Sequence, residues 1–385
     1  MRGTFYRWIA GGSVALVLAL AGAVRVNTAR RPHYGGTLRV EIGAVVRSLD
    51  PAEAASNPEE AATKEQIGAL IYDHRNADGS FAGGAGSGAF RIAEWEPEKH
   101  LALAANSDCR AGRPFVDAID IQMGRAAKDR LLDLDLGKAD FAEIPADEAR
   151  QAVEQGVRTS ESQPDELIAL IFMASKPAAE DARVREAVSR SIDRAAIVNF
   201  ILHKEGEAAG GLLPQWSSGT AFLFSAAPDP AGARALWAQI ADSPKIALGY
   251  DASDALEQMI AERIAVNARD AGISLAAKSL SGAAADFDAK LIRWRMSSPH
   301  PREALADFLA VAGPPAGLDA APVPDPASPE QIYSRESAIV ASFRVVPLAR
   351  LPTVYGLGAR VRDWMVPAPG EGWPLADVWL EGEAQ

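Results

Sequence analysis

The sequence predicts an α/β fold, and three observations carry that prediction. Residues 245–276 read strand, helix, strand: an apolar run around Ile246 and Leu248, then Leu256, Met259, Ile260 and Ile264 at helical spacing up to Gly272, then Ile273-Ser274-Leu275-Ala276. Such a unit implies two parallel strands joined by a right-handed crossover. Strand-like and helical segments alternate along much of the chain rather than gathering in separate blocks, the pattern of α/β architecture. Of 385 residues, 48% are hydrophobic and 23% charged, a composition that buries a real core. The length suits two domains, or one large unit with insertions, at ~100–200 residues per domain.

Taken in order, Arg2 and Arg7 precede an apolar run over residues 8–24 that contains Ala21-Gly22-Ala23. A basic start, an apolar middle and small residues at its end make residues 1–30 a secretory signal peptide or, if uncleaved, an N-terminal membrane anchor. The chain beyond about residue 30 is then expected outside the cytoplasmic membrane. Gly35-Gly36 opens an alternating strand to Ile42, and Leu49-Asp50-Pro51 closes the loop after it. Residues 59–72 have helical period, and a glycine-dense connector spans 76–88. Phe90 to Trp95 and Leu101 to Ala104 form a hairpin across Glu96-Pro97-Glu98-Lys99, and residues 115–123 give another strand. Asp229-Pro230 supplies an N-cap and an N1 proline to a helix with Ala233, Leu236 and Trp237. Residues 287–294 add a strand, 313–329 read as a Pro/Ala/Gly-rich loop, and 345–354 as an apolar segment broken by Pro347 and Pro352.

Charge and rare residues exclude several functions. Thirty-nine Lys and Arg against 51 Asp and Glu give a net charge of −12, which argues against nucleic acid as a partner. The single Cys109 rules out an internal disulfide framework, a Cys-rich zinc site and an iron–sulfur cluster. Five His are scattered without an HExxH, there is no Gly-x-Ser-x-Gly elbow, and the 83–88 glycine run lacks the Lys-Ser/Thr of a phosphate loop. No metal, cofactor or catalytic centre is expected.

Several short motifs in fixed order remain. They are Gly-Gly-Thr-Leu-Arg-Val at 35–40, Ser-Leu-Asp-Pro at 48–51, Ile-Tyr-Asp at 71–73 and Gly-Ser-Gly-Ala-Phe-Arg-Ile-Ala-Glu-Trp at 86–95. Asn106-Ser107-Asp108, Gly112-Arg113-Pro114 and the turn Gly137-Lys138-Ala139-Asp140 follow, and then Asp181-Ala182-Arg183-Val184-Arg185-Glu186-Ala187 running on to Ile192-Asp193-Arg194. Asp181 and Asp193 each stand where an N-cap starts a helix. The set resembles the extracellular solute-binding proteins of the peptide/nickel type, family 5, which feed ABC importers.

The resemblance implies a two-lobed periplasmic binding protein type II-like fold, with residues 35–166 and 334–385 in lobe I and 167–333 in lobe II. The chain would cross between lobes near 167–172 and return near 333–346. Between Tyr72 and Gly86 the family carries a further subdomain of roughly a hundred residues; the short connector here means that this subdomain is missing. The function implied is capture of a peptide-like or other small solute by lobe closure, with delivery to an ABC permease in the membrane. The alternative is a membrane-tethered scaffold, held through residues 8–24, without a transport role. The ligand-binding candidates are Trp294, Ser297 and His300 after the cleft strand, Tyr72 at a lobe edge, and Met173, which stands where the family has an amide. Ser297 and His300 occupy places where the resemblance leads one to expect carboxylates, and a desolvated ammonium needs an opposite charge.

Overall fold

Two sheets organise the chain from Tyr34 onward. The first is built from β1 (Thr37–Glu41), β2 (Phe90–Glu96), β3 (His100–Ala105), β4 (Ala118–Gln122), β5 (Phe141–Ile144) and β6 (Arg158–Glu161), with helices α1 (Pro58–Ile71) and α2 (Ala127–Asp135). The chain then enters a second sheet made of β7 (Glu166–Phe172), β8 (Glu207–Ala208), β9 (Ile246–Tyr250), β10 (Leu275–Ser279), β11 (Ala289–Arg295) and β12 (Val345–Leu351). Its helices are α3 (Ala182–Ser191), α4 (Pro230–Trp237), α5 (Ala255–Asp270), α6 (Pro301–Ala316) and α7 (Pro329–Ala341). Strand β13 (Val354–Leu357) returns to the first sheet. This computed structural model describes residues 31–53, 55, 58–75, 81–82, 84, 86–280, 286–319, 324 and 327–382. The signal or anchor reading of residues 1–30 lies outside them, and among the described residues no helix is long and apolar enough to cross a membrane.

The strand orders are β2-β3-β4-β1-β5-β13-β6 and β8-β12-β7-β11-β9-β10. In the first, β1 pairs in parallel with β4 and β5, while the hairpin β2–β3 and the returning β13 are antiparallel. In the second, β9 and β10 are parallel with Ile246 opposite Leu275, as the strand–helix–strand reading expects. Asp254 caps the intervening α5, its Oδ1 accepting from Leu256 N at 2.9 Å and Glu257 N at 3.1 Å, and Gly272 turns the chain at φ +79°. All seven residues of β7 are buried, because this central strand is covered on both faces.

The motif residues are mostly fasteners. Asp181 Oδ1 accepts from Arg183 N at 2.8 Å and Asp193 Oδ1 from Ala196 N at 2.9 Å, both as N-caps. Arg194 is buried and its Nε donates to Pro347 O at 2.7 Å, where β12 slips register against β7. Gly88 packs so closely on the end of α1 that a Cβ would lie 2.5 Å from Tyr72 O, and buried Asn106 donates to Gly88 O at 2.8 Å. Asp140 is buried between Arg39 and Arg360, receiving Arg39 Nε at 2.8 Å and Arg360 Nε at 2.6 Å.

Two expectations are corrected. Helix α6 runs through Pro314 and Pro315 to Ala316, where a loop from 313 was expected. The prolines forgo N–H bonds only in the last turn, and buried Leu305, Phe308, Leu309 and Ala312 hold the helix to β7 and β11. The return crossing is also displaced: α7 and β12 belong to the second sheet, because β12 pairs with β7 along its length. The chain therefore passes from the first sheet to the second at residues 162–165 and back at 352–353, and residues 345–351 pair within the second sheet rather than beside the first.

Candidate functional site

Each crossing holds a proline, Pro164 and Pro352, whose missing N–H and fixed φ end a ladder. The two crossings lie side by side. Ser162 N donates to Thr353 O at 3.0 Å, Thr353 N to Ser162 Oγ at 2.8 Å, and Asp165 N to Leu351 O at 3.0 Å. Asp165 sits between them, its Oδ1 accepting from the hydroxyls of Ser162 and Thr353 at 3.2 Å each.

Above this joint a cavity of about 1070 Å³ opens between the lobes. Its floor is Asp165, Thr353, Tyr355 and Arg295. The lobe II wall is the turn from Trp294 to His300 and the first turns of α6, and the lobe I wall is Glu65 and Gln66 of α1 with residues 367–371. Pro301 starts α6 at N1 with Glu303 in its first turn, a placement that the helix dipole favours. Ser298 Oγ donates to Glu303 Oε2 at 2.7 Å and Ser297 Oγ to Asp307, so the turn and the helix share their polar groups. Across the mouth, Gly370 at φ +78° touches the other lobe: a Cβ there would lie 1.8 Å from Ser297 O.

Charges concentrate below the floor. Arg293 donates to Glu166 Oε1 at 2.5 Å and to Asp254 Oδ2 at 2.9 Å. Arg295, one residue past Trp294 on the opposite face of β11, stands 3.8 Å from both Glu166 and Glu143, the latter in lobe I. Burial works to raise Glu166, but the two guanidinium groups outweigh it and hold the carboxyl below its ordinary value. Asp165 goes the other way: burial lifts it to about 6 despite Arg295. Burial, with Glu143 beside it, pushes the Tyr355 phenol up, so it stays protonated at neutral pH.

The structure brings Trp294, Ser297 and His300 to one cleft. Trp294 is only 4% exposed and packs edge-to-face on Phe308 at 5.2 Å, so most of its ring is core. Tyr72 packs against the lobe I core and Met173 lies where its N donates to Asp288 O at 2.8 Å; neither lines the cleft. Sequence reading missed Asp165, Arg295, Glu303, Asp307, Tyr355 and Gly370. Two other carboxylates line the cleft beside that turn, Glu303 and Asp307 of α6, which stand at i, i+4, a signal visible only once that segment is known to be helical.

The family model of bacterial extracellular solute-binding proteins, family 5 Middle, matches residues 51–314. The chain belongs to this family. Among curated proteins, the family 5 chain is 28% identical over 127 residues to the oligopeptide-binding protein AppA of Bacillus subtilis, covering 32% of this chain and 23% of that one. It is 26% identical over 165 residues to the probable D,D-dipeptide-binding periplasmic protein DdpA of Escherichia coli, covering 42% and 32%. The matched stretches thus span about a quarter to a third of those relatives. Among solved structures, DppA of Helicobacter pylori in complex with peptide STSA superposes with a TM-score of 0.71 at 12% identity, covering 91% of this chain and 99% of that one. AppA of Bacillus subtilis in complex with a nonapeptide gives 0.65 at 13%, covering 91% and 100%. At such identities the likeness establishes the fold, that of a two-lobed periplasmic binding protein in shortened form.

Proposed function

We propose that this family 5 protein is the extracytoplasmic solute-binding component of an ABC importer. It captures a peptide-like or other small solute between its lobes and presents the closed form to a membrane permease. The observation that carries this reading is the cavity of about 1070 Å³ lined from both lobes directly above the paired crossings. Clefts between domains are where small ligands bury most of their surface, and two short adjoining crossings are the kind of joint about which domains close. The division into a discontinuous lobe I, residues 35–165 with 353–385, and lobe II, 166–352, belongs to this proposal. The relatives include an oligopeptide-binding protein and two proteins solved in complex with peptides, which makes short peptides the first solutes to try. Closure is a population shift, so the solute must bind the closed form more tightly than the open one.

A thermal-shift screen of short peptides tests the reading. A binder at 100 times its Kd adds about 2.7 kcal/mol to stability and raises Tm by several degrees. Small-angle scattering should show the same ligand shrinking the radius of gyration. Absence of any shift with di- to pentapeptides, sugars or metal chelates, together with an unchanged radius, would sink it in favour of the tethered scaffold.

A further inference from the structure

The charge inside the cleft is unbalanced. Carboxylates of Glu65, Asp165, Glu303, Asp307 and Glu371 face the cavity, against the guanidinium groups of Arg295 and Arg302. Both guanidinium groups already lie near carboxylates: Arg302 is 3.5 Å from Glu303, and Arg295 is 3.8 Å from Glu143 and Glu166. Acidic residues on an open surface would mean little, but Asp165 is only 7% exposed and still lines the cavity. Its Oδ1 is occupied by the two hydroxyls of the joint, while among the described residues Oδ2 accepts no hydrogen bond and the side chain forms no ion pair. A carboxylate this nearly buried, with one oxygen reaching the cavity, offers a seat that a cation can occupy at little further cost in desolvation of the protein.

We propose that the cleft takes a solute carrying a cationic group, an ammonium or a guanidinium, seated against Asp165 Oδ2 at the floor. This rests on reading the cleft as the solute site and narrows the solute class. Arg295 stands over the same floor, so one positive group fits there, and further positive charge lies toward Glu303, Asp307 and Glu371 on the walls. The seat is thus at the joint itself, and a cation bound to Asp165 bonds to the residue that joins both crossings.

The titration of Asp165 supports this. The groups facing it are Arg295 from β11, Glu166 beside it on β7, Tyr355 from β13 and the Ser162 and Thr353 hydroxyls, with Glu143 of β5 next to Arg295 and Tyr355. Burial sets its value at about 6 against the pull of Arg295. A cation binds the ionised form, so binding near pH 6 releases a proton, and affinity falls as the pH drops below that value.

Calorimetry on the protein with tri-lysine, tri-alanine, tri-glutamate and spermidine tests the proposal. At pH 7.5 tri-lysine should bind at least tenfold more tightly than tri-glutamate, and the preference should shrink at pH 5. Asp165→Asn should remove most of it, which separates Asp165 from His300 in the same cleft. Heats measured near pH 6 in two buffers of different ionisation enthalpy should reveal proton release in the unsubstituted protein, and Glu303→Gln should lower the tri-lysine preference if Asp165→Asn does not fold. Equal binding of the three tripeptides that persists when their α-amines are acetylated overturns the cationic seat and leaves the peptide reading standing. Binding of spermidine but of no tripeptide upholds the seat and overturns the peptide reading; binding of none overturns both.

Discussion

Two buried aspartates in different regions of the molecule show opposite treatments of the same charge. In lobe I, Asp140 receives Arg39 Nε at 2.8 Å and Nη2 at 2.9 Å, Arg360 Nε at 2.6 Å and Nη2 at 2.7 Å, and Arg39 N at 2.9 Å. Burial works to raise it, but the two guanidinium forks hold it below its ordinary value. At the joint, Asp165 has two hydroxyls and no ion pair among the described residues, and burial carries it up to about 6. A scaffold that needs a buried charge for folding neutralises it from within. Where it leaves one open to a cavity, only two hydroxyls and the more distant Arg295 offset the burial.

Three substitutions break or sharpen that contrast. Asp140→Ala strands two guanidinium groups and should cost about 3–5 kcal/mol in denaturant unfolding; a loss under about 1 kcal/mol would show that Asp140 is no fastener. Asp165→Asn should stabilise. Its folded-state value of about 6 lies above the ordinary 3.8, so the wild-type residue is at no disadvantage below pH 3.8, and it costs stability progressively as the pH rises from 3.8 to 6, where the loss is complete. The difference amounts to about 3 kcal/mol at pH 7.5. Melting curves of the two proteins should therefore coincide near pH 3.5, part between about pH 4 and pH 6 and keep a constant separation above it, and an equal separation at every pH would refute the assignment. Gly370→Ala leaves both aspartates alone but puts a methyl against Ser297 O at a left-handed φ. It should weaken any cleft ligand about tenfold, or about 1.4 kcal/mol, on top of a loss of about 1 kcal/mol in unfolding from the Cβ at positive φ. Unaltered affinity would mean that the contact is not part of the bound state.

What sequence could reveal follows the same divide between local and convergent features. The β9-α5-β10 unit, the β2–β3 hairpin and the caps at Asp181, Asp193 and Asp229 are local, and each was legible. The second crossing was misplaced because a run holding Pro347 and Pro352 does not say which sheet it joins; pairing with β7, far away in sequence, decides that. Helix α6 hid behind Pro301, Gly313, Pro314 and Pro315. With it went Glu303 and Asp307, while Trp294, Ser297 and His300, which the family resemblance singled out at the end of a readable strand, do line the cavity. Asp165 and Gly370 carried no signal at all. One matters because two distant crossings meet around it, the other because a carbonyl from the opposite lobe reaches it.

The stitched joint has a mechanical corollary. With one proline in each ribbon removing a soft torsion, and Ser162 N and Thr353 N each tied across to the other ribbon, neither strand can twist without dragging its neighbour. On the closure proposed above, a swing of one half against the other would be confined to a single axis, as a door hung on two pins cannot wobble, and the rims would meet in the same register each time.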